Sequence, residues 1–133
     1  MTAYHPLRKG TLLIFSGSCE HLHIICNDPV FYPNYNKESI LVVNISSIRD
    51  AIEHDPTCIF NGREHPFIKH PSYVYYNKAD ILGVNTVCNE VDNGNIKTHQ
   101  NFTENHFNKI LEGFSVSKFV TPKIKRFYEK YCL

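Results

Sequence analysis

A chain of 133 residues, 42% of them hydrophobic, is the size of one domain and apolar enough to bury a core without disulfide or metal staples. Its formal net charge of +1 excludes a global electrostatic argument for nucleic-acid or membrane binding, so any such argument must rest on local patches. Five scattered cysteines with no C-x-x-C pair suit reduced thiols. No apolar run approaches membrane-spanning length, and the polar start with His5, Arg8 and Lys9 does not read as a secretory leader. The expectation is a cytoplasmic protein with no membrane partner.

Residues 11–15 (TLLIF), continuously apolar after Gly10, predict a buried strand. Residues 16–18, around Gly17, predict a turn. Residues 21–26 (HLHIIC) predict a second strand, stopped by Asn27-Asp28-Pro29. Residues 31–37, rich in Tyr, Asn and Pro, read as a loop. The strongest strand signal is 39–46 (SILVVNIS), with five consecutive apolar residues. Residues 47–54 predict a short helical turn, 57–60 a short strand, and Asn61-Gly62 a hairpin turn. Residues 63–71 are irregular and hold Pro66 and Pro71. Residues 72–82 predict one or two strands with a kink, and 84–101 a polar loop or weak hairpin.

The pattern then becomes helical. Phe107, Ile110, Leu111 and Phe114 share one helix face behind Thr103 as N-cap, with Gly113 near the end. Thr121-Pro122 opens a second helix, whose apolar face is Ile124, Phe127, Tyr128 and Tyr131. Short strands followed by helices predict a single, mainly β (α+β) domain over 1–133. A small barrel or curled sheet fills about 10–98, and a helical cover about 99–133.

Four groups of residues can carry chemistry. Cys19, His21 and His23 fall on one strand face, and an H-x-H pair is a recurring metal-ligand arrangement. Half-exposed strand histidines are the plainer account. The segment 63–71 gathers Arg63, Glu64, His65, Lys69 and His70 between prolines that restrict the backbone. Histidines flanked by cations suit proton transfer beside a phosphate; a solvated loop is the alternative. In Asn44-Ile45-Ser46-Ser47-Ile48-Arg49 polar groups follow the buried strand, so Ser46 and Ser47 stand at its end, either at a site or as helix caps. The C-terminal Lys118, Lys123, Lys125, Arg126 and Lys130 are interleaved with Phe119, Phe127, Tyr128 and Tyr131. That run suits phosphate and base contacts or the solvent face of a docked helix.

The order of several segments resembles the MazF/PemK toxin family. Gly10-Thr11-Leu12-Leu13-Ile14-Phe15 is similar to its opening strand, and His23-Ile24-Ile25-Cys26-Asn27-Asp28 to its second strand and turn. Val42-Val43-Asn44-Ile45-Ser46-Ser47 is similar to its strand ending in a small hydroxyl residue, and residues 72–82 to the late strand before its C-terminal helix. The resemblance implies an SH3-like barrel and a metal-independent endoribonuclease of a toxin–antitoxin or phage-defence system, needing no cofactor. It also implies RNA as substrate, a homodimer and a partner antitoxin. By position, Ser46 takes the catalytic hydroxyl. Where the family's arginine would fall, Glu20 and His21 stand instead.

The leading expectation therefore puts catalysis on His70, His21, Ser46 and His65, with Arg63, Lys69, Ser47, Lys125 and Arg126 binding substrate. Two other readings stand beside it. One is a non-catalytic SH3-like interaction module with Phe31, Tyr32, Tyr35, Tyr73, Tyr75 and Tyr76 in a groove. The other is a metal-binding hydrolase using His21 and His23.

Overall fold

The computed structural model describes residues 4–133. Eight strands form an antiparallel sheet: β1 (Thr11–Ser16), β2 (Cys19–Ile25), β3 (Val30–Tyr32), β4 (Lys37–Ser47), β5 (Ile59–Phe60), β6 (Ser72–Val74), β7 (Asp80–Gly83) and β8 (Lys97–His99). Three helices accompany them: α1 (Val84–Asp92), α2 (Glu104–Val116) and α3 (Pro122–Tyr131). The fold is α+β with the expected C-terminal helices. The sheet runs β5-β6-β4-β2-β1-β8, with β3 and β7 also on β4, and among the described residues it is not closed into a barrel.

The long apolar strand predicted around 39–46 is the axis of the sheet. β4 pairs in turn with β3 (Val30↔Ser39), β7 (Leu41↔Ile81), β2 (His23↔Asn44) and β6 (Ser46↔Tyr73). β1 and β2 are joined by a two-residue hairpin, Ser16↔Cys19, with Gly17 at φ 68°. Such tight loops need positive φ at this place, which glycine adopts without a Cβ clash. Where the β2–β4 ladder ends, the buried Asn27 side chain continues it. Its Oδ1 accepts from the Leu41 N–H at 2.7 Å, and its Nδ2 donates to the Ser39 carbonyl at 3.4 Å.

Alternation along the strands creates two cores. On one face Leu22, Ile24, Leu41, Val43 and Ile45 meet Phe107, Ile110 and Phe114 of α2 and Ile124, Phe127 and Tyr128 of α3. Both helices present the face that the sequence periodicity selects. Thr121 and Pro122 stand at N-cap and N1 of α3. Gly113 has a packing role. The Tyr76 hydroxyl donates to the Ile110 carbonyl at 2.6 Å, and a Cβ at Gly113 would fall on that hydroxyl.

On the other face Leu12, Ile25, Ile40 and Val42 are covered by Val84 and Val87 of α1. This helix replaces the loop or weak hairpin expected at 84–101. Its valines and asparagines are modest helix formers, and Gly83 offers no capping side chain. Val84, Val87, Cys88 and Val91 nevertheless share a face, and burial supplies what propensity lacks. Asn93-Gly94 is the helix C-terminus: the Gly94 N–H reaches Val91 and the Asn95 N–H reaches Glu90, a Schellman pattern with Gly94 at φ 80°.

Three local expectations also change. Residues 30–32, read as loop, pair with β4 as β3. Residues 47–54 form no helix: β4 runs through Ser47, and a single hydrogen-bonded turn follows, with the Ile52 N–H on the Arg49 carbonyl at 3.3 Å. Asn61-Gly62 is not a hairpin turn, because an eleven-residue connection, 61–71, separates β5 from β6. The Glu64 carboxylate accepts from the N–H groups of Asn61, Gly62 and Arg63. Burial opposes its ionisation, but these bonds hold the carboxyl below its ordinary range. No helix among the described residues is long and apolar enough to cross a membrane.

Candidate functional site

The face covered by α1 changes character along the strands. Leu12, Ile25, Ile40 and Val42 lie under the helix, and the same side of β2 and β4 continues as His23, Asn44, His21 and Ser46. β2 and β4 stay paired as far as His23↔Asn44. There β4 leaves β2 and takes β6 as its partner through Ile45, Ser46 and Ser47. Parted strands with polar side chains between them leave a cleft.

The largest cavity of this cleft measures about 880 Å³. β2 contributes His21, and the end of β4 contributes Ser46 and Ser47. The turn after β4 adds Arg49 and His54, the β5–β6 connection adds Lys69 and His70, and β8 adds His99. Four of the eight histidines of the chain thus line one cavity, together with an arginine and a lysine. A second cavity of about 380 Å³ adjoins it through His21 and Ser46 and reaches His23, Asn44, Tyr75 and Lys78. A third, of about 260 Å³, adjoins the first through Glu53, His54 and Tyr73.

Ser46 is held at the centre. Its Oγ accepts from Asn44 Nδ2 at 3.4 Å, and the Tyr73 hydroxyl shares a hydrogen bond with it. Burial, followed by the neighbouring Tyr75, raises the Tyr73 pKa, and the Ser46 bond only partly offsets this. The Tyr73 ring lies 5.2 Å from both the His54 and the Tyr75 rings. His23 has its Nδ1 on the His21 carbonyl at 2.9 Å, and burial lowers its pKa despite that bond.

Five of the nine residues expected to catalyse or to bind substrate therefore line one cavity: His21, Ser46, Ser47, Lys69 and His70. The others stand elsewhere. His65 is only 3% exposed. Its Nδ1 accepts from the Phe67 N–H at 3.1 Å, so Nε2 carries the proton and donates to the Gln100 carbonyl at 2.7 Å. Its ring lies 4.9 Å from Phe102 and 4.8 Å from His99. Both nitrogens are engaged within the fold, anchoring the connection that carries Lys69 and His70. Burial lowers its pKa, the Gln100 bond opposes this, and His99 adds to it. Arg63 is exposed and lines none of the three cavities. Lys125 and Arg126 lie on the exposed side of α3 and line none either.

The six aromatics considered as one groove are dispersed. Tyr76 is fully buried, and Tyr32 packs edge-on against Phe127 at 5.0 Å. Only Tyr73 and Tyr75 reach the cleft. Among the described residues no group of three or more His, Cys, Asp or Glu side chains is placed to hold a metal ion.

Arg49, the last residue of the polar segment 44–49, carried no assigned role, and His54 and His99 were not singled out. Arg49 and His54 lie in a segment read as a helical turn. His99 reaches the cleft only because β8 pairs with β1, Thr11↔His99, a contact between distant parts of the chain. The one local signal was a histidine directly before Asp55-Pro56, where the backbone is restricted. No family model, characterised protein or solved structure matches the chain.

Proposed function

We propose that this protein binds RNA in the cleft and cleaves it without a metal, as a PemK/MazF-like endoribonuclease. One observation carries the reading. His21, Ser46, Lys69 and His70, from three separate strands and loops, line a single cavity together with Arg49, His54 and His99. Ribonuclease chemistry needs a base for the 2′-hydroxyl, an acid for the leaving oxygen, and cations for the charge that builds on phosphorus. His70 and His21 take the proton-transfer roles, Lys69 and Arg49 the cationic one, and Ser46 contacts the scissile phosphate. The same likeness brings an SH3-like barrel ancestry for the open sheet, a homodimer, and an antitoxin that blocks the cleft.

Incubation of the purified protein with cellular RNA in EDTA tests this directly. Discrete fragments should appear and should be lost in His70→Ala. His70 is exposed, so that variant should fold normally. Intact RNA at high protein concentration would refute the nuclease activity.

A further inference from the structure

The third cavity has a composition unlike the first. Its walls are Tyr73, Tyr75, His54 and Phe119, with Glu53, Asp55 and Asn77 as polar groups. Three of the walls are bound by ring contacts: Tyr73 lies 5.2 Å from both His54 and Tyr75. The fourth, Phe119, is 51% exposed on the α2–α3 connection, which leaves much of an aromatic side chain in water at the mouth of a cavity.

The position of Phe119 is fixed from behind. Asp55, only 7% exposed, accepts from the Thr57 N–H and hydroxyl on one carboxylate oxygen and from the Ser117 hydroxyl at 2.6 Å on the other. The Phe119 N–H in turn donates to Ser117 Oγ at 3.1 Å. One buried carboxylate therefore ties the two walls, residues 53–57 and 117–119, together. The cavity shares Glu53, His54 and Tyr73 with the cavity that holds Arg49 and Lys69. A ring-lined slot thus opens directly onto a cavity that carries Arg49 and Lys69 alongside Glu20 and Glu53, and the two cations give a phosphate a place beside a stacked base.

We propose that this slot is a base-binding subsite of the cleft, taking a nucleobase that carries an exocyclic amino group. The proposal rests on the RNA reading above. Tyr75 and Phe119 supply the stacking surfaces. Glu53, acceptor-only when ionised, accepts from the amino group of adenine or cytosine, whereas uracil presents a carbonyl oxygen at the corresponding place. Asn77 offers both a donor and an acceptor to the rest of the base edge.

Fluorescence anisotropy with labelled 2′-O-methyl hexanucleotides of A, C or U tests it, since these lack the nucleophile for cleavage. The wild type should bind the A and C oligomers more tightly than the U oligomer. Phe119→Ala should weaken binding of both by about tenfold or more, and Glu53→Gln should narrow the preference over U. Phe119 and Glu53 are both exposed, so neither change threatens the fold. If the wild type binds with no preference, or Phe119→Ala and Tyr75→Ala bind as the wild type does, the subsite is refuted and the RNA reading survives. If the wild type binds none of the three, the RNA reading falls and the subsite with it.

Discussion

On one face of the sheet, Leu22, Ile24, Leu41, Val43 and Ile45 disappear under α2 and α3. On the other, Leu12, Ile25, Ile40 and Val42 disappear under α1, and beyond them His23, Asn44, His21 and Ser46 line an open cleft. The same two strands, β2 and β4, build both faces. The nine-residue α1 covers the part of the second face that carries Leu12, Ile25, Ile40 and Val42, and the residue types change where the helix stops. An apolar strand face must be covered, because each large side chain buried is worth about 1.5–3 kcal/mol. A polar one can stay open without that loss, so the cleft marks the part of the sheet released from core duty.

The largest effect should come from the fully covered face. Gly113→Ala forces the Tyr76 hydroxyl off the Ile110 carbonyl, combining overpacking with a lost buried hydrogen bond. Unfolding in urea should show a loss of about 2–4 kcal/mol. Wild-type stability would mean that α2 can move away from the sheet freely, and that this face is less tightly packed than the comparison holds.

The seam between core and cleft should respond to pH. Burial lowers the pKa of His65 and of His23 below the ordinary 6.5. The unfolded chain therefore takes up protons before the folded one does as pH falls. Stability should be fully present above about pH 6.5 and should decline as the pH is lowered toward the depressed folded-state values. Protonated His65 also cannot accept from the Phe67 N–H, so the connection bearing Lys69 and His70 loses a tether. Denaturant midpoints measured from pH 8 to pH 5 should fall, and His65→Gln should flatten part of that slope. A midpoint that stays constant would show that neither ring is held neutral by the fold.

The smallest effect on stability should come from the cleft itself. Ser46→Ala removes one half-buried hydroxyl, its 3.4 Å bond from Asn44 and its bond with Tyr73, and should cost about 1 kcal/mol. RNA cleavage by the same variant should fall sharply. A large stability loss with activity retained would assign Ser46 to the core and erase the contrast between the two halves of that face.

The sequence by itself determined the elements with long, regular patterns. β1, β2 and β4 follow from apolar runs, α2 and α3 from 3.6-residue spacing with Thr103, Thr121 and Pro122 at their starts. These signals are local: each strand or helix reports the environment its side chains need. α1 was partly legible, since Val84, Val87, Cys88 and Val91 keep helical spacing, but weak propensity and Asn93-Gly94 hid it until its burial against Ile40 and Val42 was visible.

Of the candidate site, His21, Ser46, Lys69 and His70 were legible because polar groups at a strand end or between prolines need a reason. Tertiary structure alone decided the rest. It folded His65 inward, where its hydrogen-bonding capacity is used up. It sent Arg63, Lys125 and Arg126 to surfaces outside the cleft, and it brought in Arg49, His54 and His99. A side chain's type sets what chemistry it can do, but which others it meets depends on pairings between strands far apart in the chain, and no local pattern encodes those.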